Sequence, residues 1–77
     1  MNISIEYCTQ WNYEPNALSL RDELVSKFGI TSELIESGGG VFEIRVNGHL
    51  IFSKKKLNRF PNPGEIIQFI EDLQSVT

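Results

Sequence analysis

Ile3, Ile5 and Tyr7 alternate with Ser4 and Glu6 at the start of the chain, a period of two that predicts a β-strand with one apolar face. The period then changes. Ala17, Leu20, Leu24 and Phe28 recur at helical spacing, Leu18 and Val25 widen the stripe, and Asn12 to Phe28 reads as an amphipathic helix. This helix is expected to begin between Asn12 and Asn16, with Pro15 tolerated in its first turn, and to end at Gly29, since glycine accepts the left-handed conformation of a C-terminal cap. A second strand is expected from Ile30 to Glu36. Ser37-Gly38-Gly39-Gly40 must turn, because consecutive glycines cannot pack the interior of a strand or helix. Alternation resumes from Val41 to Val46, with Phe42, Ile44 and Val46 on one face and Glu43 and Arg45 on the other. Asn47-Gly48 predicts a type I′ hairpin turn, and His49 to Ser53 returns as the fourth strand.

The last helix carries its own start signal. Asn62 suits an N-cap, Pro63 the first helical position, and Glu65 the third, as in a capping box. Ile66, Ile67, Phe69, Ile70 and Leu73 then form a broad apolar face that is expected to pack on the sheet.

Taken together these elements predict a single α/β domain over residues 1–77, a two-layer β-α-β-β-β-α sandwich. The first strand-helix-strand unit should be parallel and the Asn47-Gly48 hairpin antiparallel, so the four-stranded sheet is mixed. Both helices belong on one face, leaving Glu6, Glu43 and Arg45 on the other.

Ten acidic against seven basic side chains give a net charge of −3, which argues against general nucleic-acid binding. The basic residues are unevenly placed: Lys54, Lys55, Lys56 and Arg59 fall in one short segment, read either as a solvated loop or as a local anion or partner site. Arg59 has a second reading, an ion pair with a carboxylate of the final helix while Phe60 anchors the loop. No segment approaches the roughly 18 apolar residues of a membrane helix, and the N-terminus lacks a basic region followed by an apolar run. One cysteine forms no internal disulfide, so a reducing, cytoplasmic setting is expected. With His49 the only histidine, and placed beside a hairpin turn, no metal cage is expected either.

That cysteine, Cys8, stands between the first strand and the first helix, where unpaired N–H groups and the helix dipole favour the thiolate. The dipole typically supplies about 0.3–1 kcal/mol, too little by itself to make a thiol reactive at neutral pH, so further N–H donors or a cation must add to it. The sequence continues Thr9-Gln10-Trp11, placing tryptophan where a second thiol would complete C-x-x-C. Trp11 is read as capping the core or the helix start, with an apolar platform for a partner as the alternative.

Tyr7-Cys8-x-x, the run Gly39-Gly40-Val41-Phe42-Glu43-Ile44, Asn47-Gly48-x-Leu50-Ile51-Phe52-Ser53-Lys54-Lys55 and Arg59-Phe60-Pro61 together resemble the selenoprotein W-like (SelT/SelW/SelH) family, over nearly the whole chain and in the same order. The resemblance implies a thioredoxin-like fold and thiol-redox chemistry from C-x-x-C or C-x-x-selenocysteine in the first loop. Cys8 matches the first member of that motif, Thr9 and Gln10 its spacers, and Trp11 replaces the second. No proline precedes the third strand, where thioredoxins carry one. Two functions follow as expectations. One is a monothiol redox protein in which Cys8 forms a mixed disulfide with glutathione or a protein thiol, with no other cofactor. The other is a non-catalytic interaction module on the same fold, which binds a protein through the Cys8–Trp11 loop and the basic segment. For Cys8 itself the alternative to a reactive thiol is a small, partly buried residue filling the turn.

Overall fold

The computed structural model describes residues 1–75 of the chain. Its elements run β1 (Ile3–Cys8), α1 (Glu14–Phe28), β2 (Glu33–Ser37), β3 (Phe42–Val46), β4 (His49–Ser53), α2 (Lys54–Leu57) and α3 (Glu65–Ser75). The sheet order is β2-β1-β3-β4, with β1 parallel to β2 and antiparallel to β3, and β3 antiparallel to β4. The mixed four-stranded sheet is the one the alternation predicted.

The central strands supply most of the core. Ile3, Ile5 and Tyr7 of β1 and Phe42, Ile44 and Val46 of β3 are buried together with Ala17, Leu20 and Leu24 of α1 and Ile66 and Ile70 of α3. Both long helices therefore cover one face of the sheet, and Lys27 joins α1 to Glu71 of α3 at 3.5 Å. On the opposite face Glu6 and Glu43 stand directly across from one another, a like-charge pairing that costs stability on its own. Arg45 resolves it by donating to Glu6 Oε1 at 3.2 Å and to Glu43 Oε1 at 3.5 Å, while Ser53 donates to Glu43 Oε2 at 3.0 Å.

Turn chemistry follows the sequence closely at two points. Gly29 takes φ +69° and its N–H donates to the Val25 carbonyl, closing α1. Asn47 and Gly48 take φ +51° and +84°, the two positive values a type I′ turn requires.

Five expectations change. β2 begins at Glu33 rather than Ile30, because its pairing with β1 starts at Ser4↔Glu33 and an edge strand has no second neighbour to extend it. The lysine run is a single helical turn, closed by Asn58 at φ +60°, rather than an open loop. Pro63 is not the first residue of the last helix. Gly64 has φ +79° and the Glu65 N–H donates to the Asn62 carbonyl at 3.0 Å, so Asn62–Glu65 forms a type II turn with proline and glycine in their preferred places, and α3 starts at Glu65. Finally, the apolar face of α3 is only partly used. Ile66 and Ile70 are buried and Ile67 packs partly on the core, but Phe69 and Leu73 remain 42% exposed, where with Leu50 and Ile51 they line an open groove of about 600 Å³. Val25, counted in the stripe of α1, also faces outward.

Candidate thiol site

β1 delivers Cys8 to the end of the sheet where two connections meet, the β1–α1 loop and the glycine turn between β2 and β3. The backbone fixes it from both sides. The Cys8 N–H donates to the Val41 carbonyl at 2.9 Å, and the next N–H, of Thr9, donates to the Ser37 carbonyl at 3.0 Å. Thr9 Oγ1 donates to the same carbonyl at 3.3 Å, so this residue of the motif loop ties the loop to the end of β2.

Cys8 has no solvent-accessible surface. Burial pushes its thiol pKa up, but the backbone N–H groups of Gly40, Gln10 and Trp11 donate to the sulfur and more than offset that, leaving the pKa below its ordinary value. These donors belong to the loop and to the glycine turn. α1 begins only at Glu14, so the stabilisation predicted from a helix N-terminus comes from loop amides instead. No lysine contributes to it. One donor, Gly40, comes from a distant part of the chain and could not be found by inspecting the motif.

Trp11 lies across this arrangement. A Cβ placed on Gly40 would stand 2.8 Å from Cε3 of the indole and closer still to Cζ3, so the ring rests on bare backbone at a residue whose φ is +71°. Gln10 approaches Gly38 in a similar way, its Oε1 at 3.6 Å from where a side chain would begin. Trp11 is 61% exposed, and its ring meets Tyr13 edge-on at 6.3 Å between centroids. Of the expectation that it caps the core or the helix start, the contact with Tyr13, the residue before α1, keeps the second part, while the first is corrected: the ring covers the glycine turn. From Tyr13 the aromatic contacts continue to Phe60 at 4.8 Å and from Phe60 to the buried Phe42 at 5.2 Å.

The basic segment divides. Arg59 is engaged by Glu65 through two hydrogen bonds of 2.7 and 3.0 Å and stacks near Phe52, with its guanidinium carbon 5.5 Å from the ring centre. Glu65 also accepts from the Asn62 N–H at 2.9 Å, and Arg59 together with that N–H holds its carboxyl down at about 2. Arg59 is thus a structural clamp on the turn before α3. Lys54, Lys55 and Lys56 have no carboxylate partner among the described residues. Lys54 Nζ lies 5.4 Å from the centre of Tyr13 and 5.3 Å from that of Phe60, and Lys55 Nζ is 3.8 Å from where a side chain on Gly39 would begin. The structure therefore brings Cys8, Thr9, Gln10, Trp11, Lys54 and Lys55 to one end of the sheet and assigns Arg59 elsewhere. His49 is exposed at the start of β4. Among the described residues no group of three His, Cys, Asp or Glu side chains is placed to hold a metal ion, and no helix is long and apolar enough to cross a membrane.

Known proteins share this plan. The model of the Rdx family matches residues 2–72. Migration and invasion enhancer 1 of Bos taurus is 33% identical over 84 residues, an alignment that takes in 100% of this chain and 73% of that protein; the chain spans 62% of the counterpart in Mus musculus. Selenoprotein W of Danio rerio is 31% identical over 74 residues, 91% of this chain and 86% of that one. The crystal structure of a Selenoprotein W-related protein from Vibrio cholerae superposes with a TM-score of 0.87 at 33% identity, covering 94% of each chain. The chain belongs to the Rdx family of selenoprotein W-like proteins, thioredoxin-like in fold and associated with thiol-redox chemistry, and carries Trp11 in place of the motif's second cysteine or selenocysteine.

Proposed function

We propose that this protein carries out thiol–disulfide exchange as a monothiol, with Cys8 as its only reacting residue. The observation that carries the reading is the trio of backbone N–H groups, from Gly40, Gln10 and Trp11, directed at one buried sulfur. Such donors stabilise the thiolate, and the thiolate is the nucleophile. In the forward step the Cys8 thiolate attacks one sulfur of a disulfide such as oxidised glutathione. The old S–S bond breaks, a Cys8–glutathione disulfide forms, and the second glutathione leaves as a thiolate that takes a proton from water. A thiol on another molecule then attacks the mixed disulfide, releasing Cys8 and carrying the glutathione or a protein partner away. No second thiol in this chain can close the cycle internally.

Because the sulfur is fully covered, exchange requires the Trp11 loop to lift from the glycine turn, and the reading predicts a slow but pH-sensitive reaction. Incubation with oxidised glutathione followed by intact mass measurement tests it. One glutathione adduct per chain, absent in Cys8→Ser, is expected; a wild-type protein that stays unmodified while its unfolded form reacts would overturn the proposal. The alternative, an interaction module without redox turnover, draws on the exposure of Trp11, the largest among the exposed apolar side chains of the described residues.

A further inference from the structure

Four of the seven basic side chains are already neutralised: Arg21 by Asp22, Lys27 by Glu71, Arg45 by Glu6 and Glu43, and Arg59 by Glu65. The remaining three are Lys54, Lys55 and Lys56, consecutive on one helical turn in a chain of net charge −3. An acidic protein that pairs its other cations and leaves these three together presents a local positive surface. The surface does not stand alone. Lys54 extends across Tyr13, Tyr13 contacts Trp11, and Lys55 reaches the turn on which Trp11 rests.

We infer that Trp11, Lys54 and Lys55 form a docking surface for an acidic peptide segment of a partner protein, beside Cys8, with Lys56 of the same helical turn adding to its positive charge. Lys54 Nζ lies over the rings of Tyr13 and Phe60 and Lys55 Nζ beside Gly39, point charges at different places on the surface, which suits carboxylates spaced along an extended chain better than a single small anion. Trp11 supplies the apolar contact that such a segment needs in addition to charge, and an exposed tryptophan is the side chain most often found at the centre of binding energy in interfaces. Charge complementarity sets the partner's sign and speeds its encounter with the site. Single-stranded nucleic acid, the other polyanion, would meet a net-negative protein, and it needs a series of open ring faces where this surface has one indole already lying on Gly40. The inference deepens the proposed exchange reaction by naming the character of its protein partner, yet the docking itself does not need the thiol.

Trp11 is the only tryptophan, so its emission reports directly on the surface. The test titrates the full chain with the blocked peptide acetyl-Glu-Glu-Phe-Glu-Glu-amide, its lysine counterpart acetyl-Lys-Lys-Phe-Lys-Lys-amide, and a thymidine oligonucleotide of matching charge. A saturable change with the acidic peptide is expected, weakened by roughly tenfold at high salt as exposed charges are screened. The triple substitution Lys54→Gln, Lys55→Gln, Lys56→Gln should weaken it at least as much, whereas Lys27→Gln, which removes a paired cation elsewhere, should leave it unchanged. Retention of the binding in Cys8→Ser separates this result from the exchange proposal. Equal response to both peptides, undiminished affinity in a folded triple variant, or tighter binding of the oligonucleotide would each overturn the inference.

Discussion

The indole of Trp11 rests on the backbone of Gly40, and both residues donate their N–H groups to the sulfur of Cys8. One contact therefore fastens together the two chain segments that build the thiolate site, the loop after β1 and the turn before β3. At this place a C-x-x-C protein would have its second sulfur. Here the position has become a clasp.

Gly40→Ala tests the clasp directly. The new methyl group would overlap the indole, and the left-handed φ of +71° adds about 1–2 kcal/mol of backbone strain. The ring is exposed and can swing aside, so the variant should fold, lose stability by an amount of that order in denaturant titration, and shift Trp11 emission toward that of a solvated indole. In a Trp11→Ala background the same substitution should cost less, because only the backbone strain remains.

Removing the ring has a second consequence. Trp11→Ala should uncover Cys8 and loosen the donors around it, so the alkylation rate at high pH rises while the apparent pKa moves up toward that of a free thiol. In the wild type the pKa lies below the ordinary value, which means the thiolate form favours the folded state. The corresponding stability is present above the unfolded-state pKa and is lost as pH falls through the folded one. Iodoacetamide kinetics against pH separate the two effects: a faster rate with an unchanged pKa would show that Trp11 only shields the sulfur.

The strands were readable because alternation reports burial, and both Ile3-Ile5-Tyr7 and Phe42-Ile44-Val46 do face the helices. The hairpin was readable because Asn47 and Gly48 leave few other options. Elsewhere local signals overlapped. Asn62-Pro63-x-Glu65 fits both a capping box and a type II turn, and the glycine at position 64, with its positive φ, decided for the turn while Glu65 kept its hydrogen bond back to Asn62. The position of Cys8 was legible, and so was its need for backbone N–H donors, but where all of those donors come from was not. Gln10 and Trp11 donate from within the motif loop, but Gly40 reaches the sulfur only once β1 and β3 are side by side, a long-range pairing that no window around the motif contains.

Gly64→Ala isolates the cost of that turn. Nothing lies within 4 Å of the added methyl group, so the destabilisation should be conformational alone, about 1 kcal/mol. A change within a few tenths of zero in the denaturation free energy would show that the turn relaxes into a continuous helix start.

α3 offers a contrast between neighbouring positions of one helix. Ile70 has no exposed surface, and Ile70→Ala should cost about 2–5 kcal/mol through lost burial and the cavity left behind. Phe69 is 42% exposed, so Phe69→Ser gives up only part of a buried ring and should cost less, about 1 kcal/mol. A large loss at Phe69 in dilute, monomeric protein would mean that the groove between β4 and α3 closes over it in solution.

Glu65 gives the protein an acid-sensitive fastening. Arg59 and the Asn62 N–H lower its carboxyl from the ordinary value of about 4.5 to about 2, so the charged form is preferred in the folded state. For a depressed carboxyl the stabilisation is complete above the unfolded-state value and is lost as pH falls through the folded one. The window is therefore about pH 4.5 down to about 2. Both partners are partly exposed, so solvent screening keeps the effect modest. Glu65→Gln should lower the melting temperature by a few degrees at pH 7, keep the hydrogen bond to Asn62, and make the loss of stability shallower across that window. If wild type and Glu65→Gln instead lose stability in parallel as the pH falls, the acid sensitivity belongs to another carboxylate, and the Glu6–Arg45–Glu43 cluster on the open sheet face is the next to substitute.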